Sequence, residues 1–210
     1  LSVPACLRLS QDIVAERHLR RRREILGRFL RDDIDRAAHD IAAAQRALRT
    51  AQHFDAVYVP GGHAPMQDLL TSPELGRLLA DFHARNKTTA LVCHGPIALL
   101  STLPDAQGFT TRLAARGTVE QRPRWIYAGY RMTVISNQEE ELAKAALQGG
   151  TMKFYPQTAL QQAGGAYSSN QAPFTPNVVM DRELITGQNP ASALGVGREL
   201  LKRLRQEPAS

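Results

Sequence analysis

Thr88-Thr89-Ala90-Leu91-Val92-Cys93-His94-Gly95-Pro96 decides the fold. Five uncharged residues run into a cysteine, and a Gly-Pro pair then turns the chain. A short uncharged run bounded by turn residues reads as a strand covered on both faces, the habit of parallel sheets. The stretch after it, Ile97–Leu103, is expected to be helical. Upstream, Asp55–Pro60 (DAVYVP) is a second β-rich run, and it ends in the tight-turn pair Gly61-Gly62. Between the two runs, Ser72-Pro73-Glu74 supplies an N-cap, a proline for the first helical position and an acid for the first turn. That helix is expected to reach about Arg85. Asp55–Leu103 is therefore a strand–helix–strand–helix unit. It calls for an α/β fold with a parallel sheet and a right-handed crossover.

The rest of the chain continues in the same style. Met132–Ser136 reads as a strand. Glu139–Gln148 reads as a helix with three acids at its positive end. Pro156–Ala163 is a short helix closed by Gly164-Gly165. Asn177–Met180 and Glu183–Ile185 flank Asp181-Arg182 as a hairpin. A last helix is expected from about Ala191 to Arg205, with Val196, Leu200 and Leu204 on its inner face. Residues 104–130 are rich in turn residues and read as a lid or interface segment. Residues 12–50 read as helix, with Leu26, Phe29, Leu30 and Ile34 as an apolar stripe.

Composition bounds the function. The chain has 210 residues, 43% hydrophobic and 22% charged, which suits one medium globular domain over 1–210. Its helical N-terminal region is placed at 1–53 and its core at 54–205. No apolar run approaches the roughly 18 residues of a membrane span, so no membrane partner is expected. Cys6 and Cys93 cannot build a disulfide framework, which fits a reducing compartment, the cytoplasm. Leu1–Leu9 does not have the form of a signal peptide. The net charge of +6 is local: residues 1–50 hold 11 Arg and 7 acids, and the rest is nearly neutral. Arg20–Arg23 has no interleaved aromatics, so a solvated helix face is expected there and nucleic acid is not.

Chemistry concentrates at Cys93. A cysteine where a strand turns into a helix has the placement of a nucleophile elbow, and a helix start favours a thiolate. The competing reading is a buried structural cysteine. His94 beside it is either a base or a polar turn residue. Gly61-Gly62 ends the neighbouring strand and so lies near the elbow. Its N–H groups, with that of His94, can hold an oxyanion, or the pair can be a plain turn. His63 follows and can line the same pocket. His53, His63, His83 and His94 show no pair at zinc spacing, so no metal site is expected.

Four motifs in order carry a resemblance: Tyr58-Val59-Pro60-Gly61-Gly62-His63, Val92-Cys93-His94-Gly95-Pro96, Ser136-Asn137-Gln138-Glu139-Glu140-Glu141, and Ile185-Thr186-Gly187-Gln188-Asn189-Pro190-Ala191-Ser192. Together they resemble the DJ-1/PfpI superfamily, in its Hsp31-like branch of type 1 glutamine amidotransferase-like proteins. The resemblance implies a flavodoxin-like three-layer sandwich with a mainly parallel sheet. The family's first strand has no counterpart before Phe54, and Glu16 and Glu24 do not match the glutamate that follows it. The resemblance also implies a Cys-dependent enzyme without a cofactor. That enzyme would act on a small-molecule aldehyde in the manner of glyoxalase III, turning methylglyoxal into lactate. A chaperone-like or non-catalytic member, and a Cys hydrolase or deglycase, are the alternatives it leaves. By position, Cys93 matches the nucleophile, His94 the catalytic histidine and Gly62 the oxyanion glycine, with Gly61 and His63 beside it. Glu140 matches the carboxylate that orients the histidine; a register slip of one would give that role to Glu139. A homodimer is compatible with this reading.

Overall fold

A computed structural model describes residues 53–144 and 152–206. The helix expected over 12–50, the basic run Arg20–Arg23, Cys6, Glu16, Glu24 and the question of an opening strand lie outside the described residues. So does the end of the helix expected to reach Gln148.

In chain order the elements are β1 (Ala56–Val59), α1 (Pro73–Ala84), β2 (Thr88–Val92), a 3₁₀ segment (Gly95–Thr102), α2 (Ala106–Arg116), β3 (Arg131–Met132), α3 (Asn137–Ala143), α4 (Pro156–Ala163), β4 (Ala166–Tyr167), β5 (Val178–Asp181), β6 (Leu184–Gly187) and α5 (Ala193–Gln206). Short 3₁₀ turns also occur, at Ala64–Met66, Leu69–Thr71 and Pro190–Ser192. The main sheet has the order β1-β2-β6-β5. β1, β2 and β6 run parallel, and β5 closes one edge antiparallel to β6. This is an α/β fold with a mainly parallel sheet. All five residues of β2 are buried, so both of its faces are covered. The helix α5 packs on β2 and β6 and buries Val196 and Leu200.

The N-terminus of α1 forms as its residues dictate: Leu75 N–H donates to the Ser72 hydroxyl at 3.2 Å, with Pro73 next in line. The hairpin also forms, with Arg182 at φ 52° in its turn. Three expectations need correction. The segment after the elbow is 3₁₀ rather than α-helical. The Ser101 and Thr102 hydroxyls donate to the carbonyls three residues back, at 2.6 and 2.7 Å, and favour the tighter winding. Residues 104–130 contain a helix, α2, N-capped by the Asp105 carboxylate and ended by Gly117 at φ 71°. The strand expected over Met132–Ser136 stops at Met132 and pairs with the unexpected β4. Beyond it, Thr133 N–H bonds the Thr186 hydroxyl and Ile135 N–H bonds the Cys93 carbonyl, so these groups serve the site instead of a ladder. Among the described residues no helix is long and apolar enough to cross a membrane.

Candidate active site

The C-terminal ends of β2 and β6 meet at Cys93. Its N–H donates to the Gly187 carbonyl at 2.8 Å, and its carbonyl accepts from Ile135 N–H at 3.1 Å. Held on both sides, Cys93 sits at φ 60°. That region is sparsely used by residues with a side chain, and strain of this kind marks a nucleophile elbow. Two glycines let the β1 turn lie against it. A Cβ on Gly95 would stand 2.6 Å from the Val59 carbonyl oxygen. A Cβ on Gly61 would stand 2.5 Å from Cys93 Cβ and 3.2 Å from its sulfur.

His94 swings back over the sulfur. Its Nδ1 lies 3.2 Å from Cys93 Sγ, and its Nε2 lies 2.6 Å from Glu140 Oε1. The second contact is an ion pair between two buried groups. Both side chains are almost fully buried. Burial alone would lower the His94 pKa. The hydrogen bonds and charges of Cys93 and Glu140 override it and raise the group to about 9. The ring is therefore an imidazolium at neutral pH, with a proton on Nδ1 aimed at the sulfur.

Glu140 reaches His94 because α3 starts where it does. Ser136 and Glu139 form a capping box: the Ser136 hydroxyl accepts from Glu139 N–H at 3.1 Å, and the Glu139 carboxylate accepts from Ser136 N–H at 2.8 Å. This turns Glu140 to the histidine and Glu139 away from it. Glu139 is fully buried and also accepts from the Ser136 hydroxyl, Phe174 N–H, Gln188 Nε2 and Asn189 Nδ2, all between 2.7 and 3.0 Å. It thereby ties α3 to the loops on either side of β5 and β6. The sequence signals the capping-box spacing; nothing in it signals the part taken by Phe174, Gln188 and Asn189.

The β1 turn completes the site. Gly62 has φ 102°, and the direction of its missing side chain is open space. His63 is exposed, and its ring centroid lies 4.3 Å from that of His94. Partial burial, and then the positive His94, hold the His63 pKa below its ordinary value against the pull of Glu140. One ligating atom from each of His63, His94 and Glu140 falls within 4.8 Å of the others. The fold, not sequence spacing, makes this cluster. His53 and His83 lie outside the cluster, and His83 pairs instead with Glu183 at 2.7 Å.

Residues 38–203 match the model of the DJ-1/PfpI family. A probable glutathione-independent glyoxalase of Schizosaccharomyces pombe is 29% identical over 154 residues, covering 72% of this chain and 53% of that protein. A protein/nucleic acid deglycase of Pseudomonas aeruginosa is 26% identical over 163 residues, covering 76% of this chain and 50% of that protein. The chain thus spans about half the length of these relatives. Among solved structures, the 24 kDa Rapid Encystment Protein of Francisella tularensis superposes with a TM-score of 0.56 at 25% identity, covering 75% of this chain and 62% of that one. Glyoxalase III of Candida albicans gives 0.53 at 18% identity, covering 72% and 58%, a likeness of fold.

Proposed function

Because the chain belongs to the DJ-1/PfpI family, we propose that it is a Cys-dependent enzyme acting on small 2-oxoaldehydes, converting methylglyoxal to lactate. One observation carries the reading: a strained Cys93 with His94 at 3.2 Å, and Glu140 behind that histidine at 2.6 Å. The S. pombe relative named as a glyoxalase supports the substrate class.

The reaction would run in these steps. Cys93 sulfur attacks the aldehyde carbon, C1, while the His94 imidazolium gives its Nδ1 proton to the nascent oxyanion. The product is a hemithioacetal. The Gly62 and His94 N–H groups are the donors assigned to that oxygen as charge develops on it. His94, now neutral, takes the C1 proton, and an enediol forms. His94 returns that proton to C2 while the C1 hydroxyl proton passes to the C2 oxygen, which leaves a lactoyl thioester on Cys93. Water adds to the thioester carbonyl, lactate leaves, and the sulfur and His94 regain their starting state. Glu140 holds the ring in place and offsets its positive charge throughout.

Lactate formation from methylglyoxal by the wild-type and Cys93→Ser proteins tests this. The substitution is expected to lower the rate by at least about 10³, the scale on which a lost nucleophile acts. Undiminished lactate formation by Cys93→Ser would sink the proposal. The P. aeruginosa relative named as a deglycase favours a second reading, release of a methylglyoxal adduct from an amine or thiol by the same nucleophile. Lactate release faster from such an adduct than from free methylglyoxal would select it.

A further inference from the structure

His63 takes no part in the steps above, yet it stands over the catalytic histidine. We propose that His63, His94 Nε2 and a Glu140 carboxylate oxygen form a binding site for a divalent transition-metal ion of the zinc class, and that its occupation switches Cys93 chemistry off. One ligating atom from each of the three residues lies within 4.8 Å of the others, and Nε2 is the His94 nitrogen on the Glu140 side. Two imidazoles and a carboxylate suit zinc and its neighbours, and argue against calcium or magnesium, which prefer an all-oxygen set.

Two further features favour an ion there. His94 Nε2 and Glu140 Oε1 are buried and face each other at 2.6 Å, so an ion that displaces the proton on Nε2 finds a nitrogen and an oxygen already turned toward one point. A metal-ligating histidine also needs its other nitrogen fixed by an anion or a carbonyl. Cys93 sulfur stands 3.2 Å from Nδ1 and meets that need. Metal–nitrogen bonds of about 2.0–2.1 Å require the 2.6 Å contact between His94 and Glu140 to open slightly. Exposed His63 can turn to close the third side, and it marks the route of entry. A water would fill the fourth position.

The inhibitory half rests on the proposed function. A metal on Nε2 leaves the Nδ1 proton as the only one on the ring. A neutral, metal-bound imidazole gives up that proton far less readily than an imidazolium does, so the oxyanion goes unprotonated, Nδ1 is never freed to take the C1 proton, and the transfer from C1 to C2 stops.

The test is titration of the full chain with Zn²⁺ against a chromogenic chelator, with Co²⁺ visible spectra as a second readout. Wild type is expected to bind one ion at this site. His63→Ala and Glu140→Gln are each expected to weaken that ion by at least about tenfold, since even an outer-shell partner of a metal is worth that much. Cys93→Ser removes only the group beside Nδ1 and should weaken the ion no more than either ligand variant does. Matching circular dichroism spectra establish that the variants fold, and His63→Asn is a milder second substitution at the exposed position. Wild-type affinity in His63→Ala and His63→Asn overturns the site. Loss of binding in Cys93→Ser greater than in His63→Ala and Glu140→Gln overturns it too, by moving the ion to the thiolate. In the activity arm, Zn²⁺ should stop wild-type lactate formation and a chelator should restore it. Zinc bound at the site without inhibition overturns the switch. If wild type forms no lactate at all, the proposed function fails, while the titration still decides the metal site.

Discussion

Glu139 and Glu140 are adjacent and both buried, yet their surroundings differ completely. Burial alone would raise the Glu139 carboxyl, but its donors from Ser136, Gln188, Asn189 and Phe174 outweigh that and hold it below the ordinary value. Glu139 is a structural anion. The Glu140 carboxylate instead faces the His94 ring, and that contact helps lift His94 to about 9. The sign follows. With its folded pKa raised above 6.5, His94 contributes stability that is fully present below pH 6.5 and is lost as pH rises through about 9. Lactate formation should lose its basic limb in the same window, as the proton meant for the oxyanion disappears. Glu140→Gln removes one of the groups that raise His94. It should move that limb to lower pH and cut kcat/KM by about 10²–10⁴, the range for losing acid–base assistance. A pH profile of the variant checks both, and a basic limb left in place would count against the pairing. Cys93 and His94 are legible because a local pattern, strand then turn, fixes their backbone. Glu140 is legible through family resemblance to within one residue. Gln188 and Asn189 are not, because their partner Glu139 is about fifty residues away in sequence.

At the scale of elements, the site is a meeting of three chain turns: one after β1, one after β2, and the start of α3. The close approach of the first two depends on atoms that are missing. Gly95→Ala would drive a methyl to 2.6 Å from the Val59 carbonyl oxygen and 2.9 Å from that of Pro60, and both are backbone atoms that cannot rotate away. Overpacking of this kind costs about 1–3 kcal/mol, so urea unfolding should show a loss in that range, with the elbow displaced and activity reduced. A variant as stable and as active as wild type would mean that the turns do not touch. β1, β2, α1 and the hairpin are legible from period, capping and turn chemistry. The winding of Gly95–Thr102 is not, since its residues are buried nearly all round and present no helical stripe. The two-residue strands β3 and β4 are too short to leave a pattern, and they exist only because they find each other.

Over the whole molecule, one strand joins two clusters of ionisable groups. β6 begins after buried Glu183, which meets His83 and accepts from the Tyr130 hydroxyl, and it ends at Gly187, whose carbonyl holds Cys93. The sheet order β1-β2-β6-β5 places that strand centrally, so the elbow is supported from both sides. The parallel core is legible in the sequence because buried strands and capped helices alternate over Asp55–Leu103. The joining of β2 to β6 is not, because their partners are almost a hundred residues apart. The positive charge seen at first reading belongs mainly to residues 1–50, which lie outside the described residues. The central claim is that Cys93 carries the substrate covalently, and acid-quenched protein mass during methylglyoxal turnover tests it most directly. An adduct of one methylglyoxal mass on the Cys93 peptide, discharging as lactate when substrate is removed, is the predicted result. Sustained lactate formation with no adduct on Cys93 would contradict it.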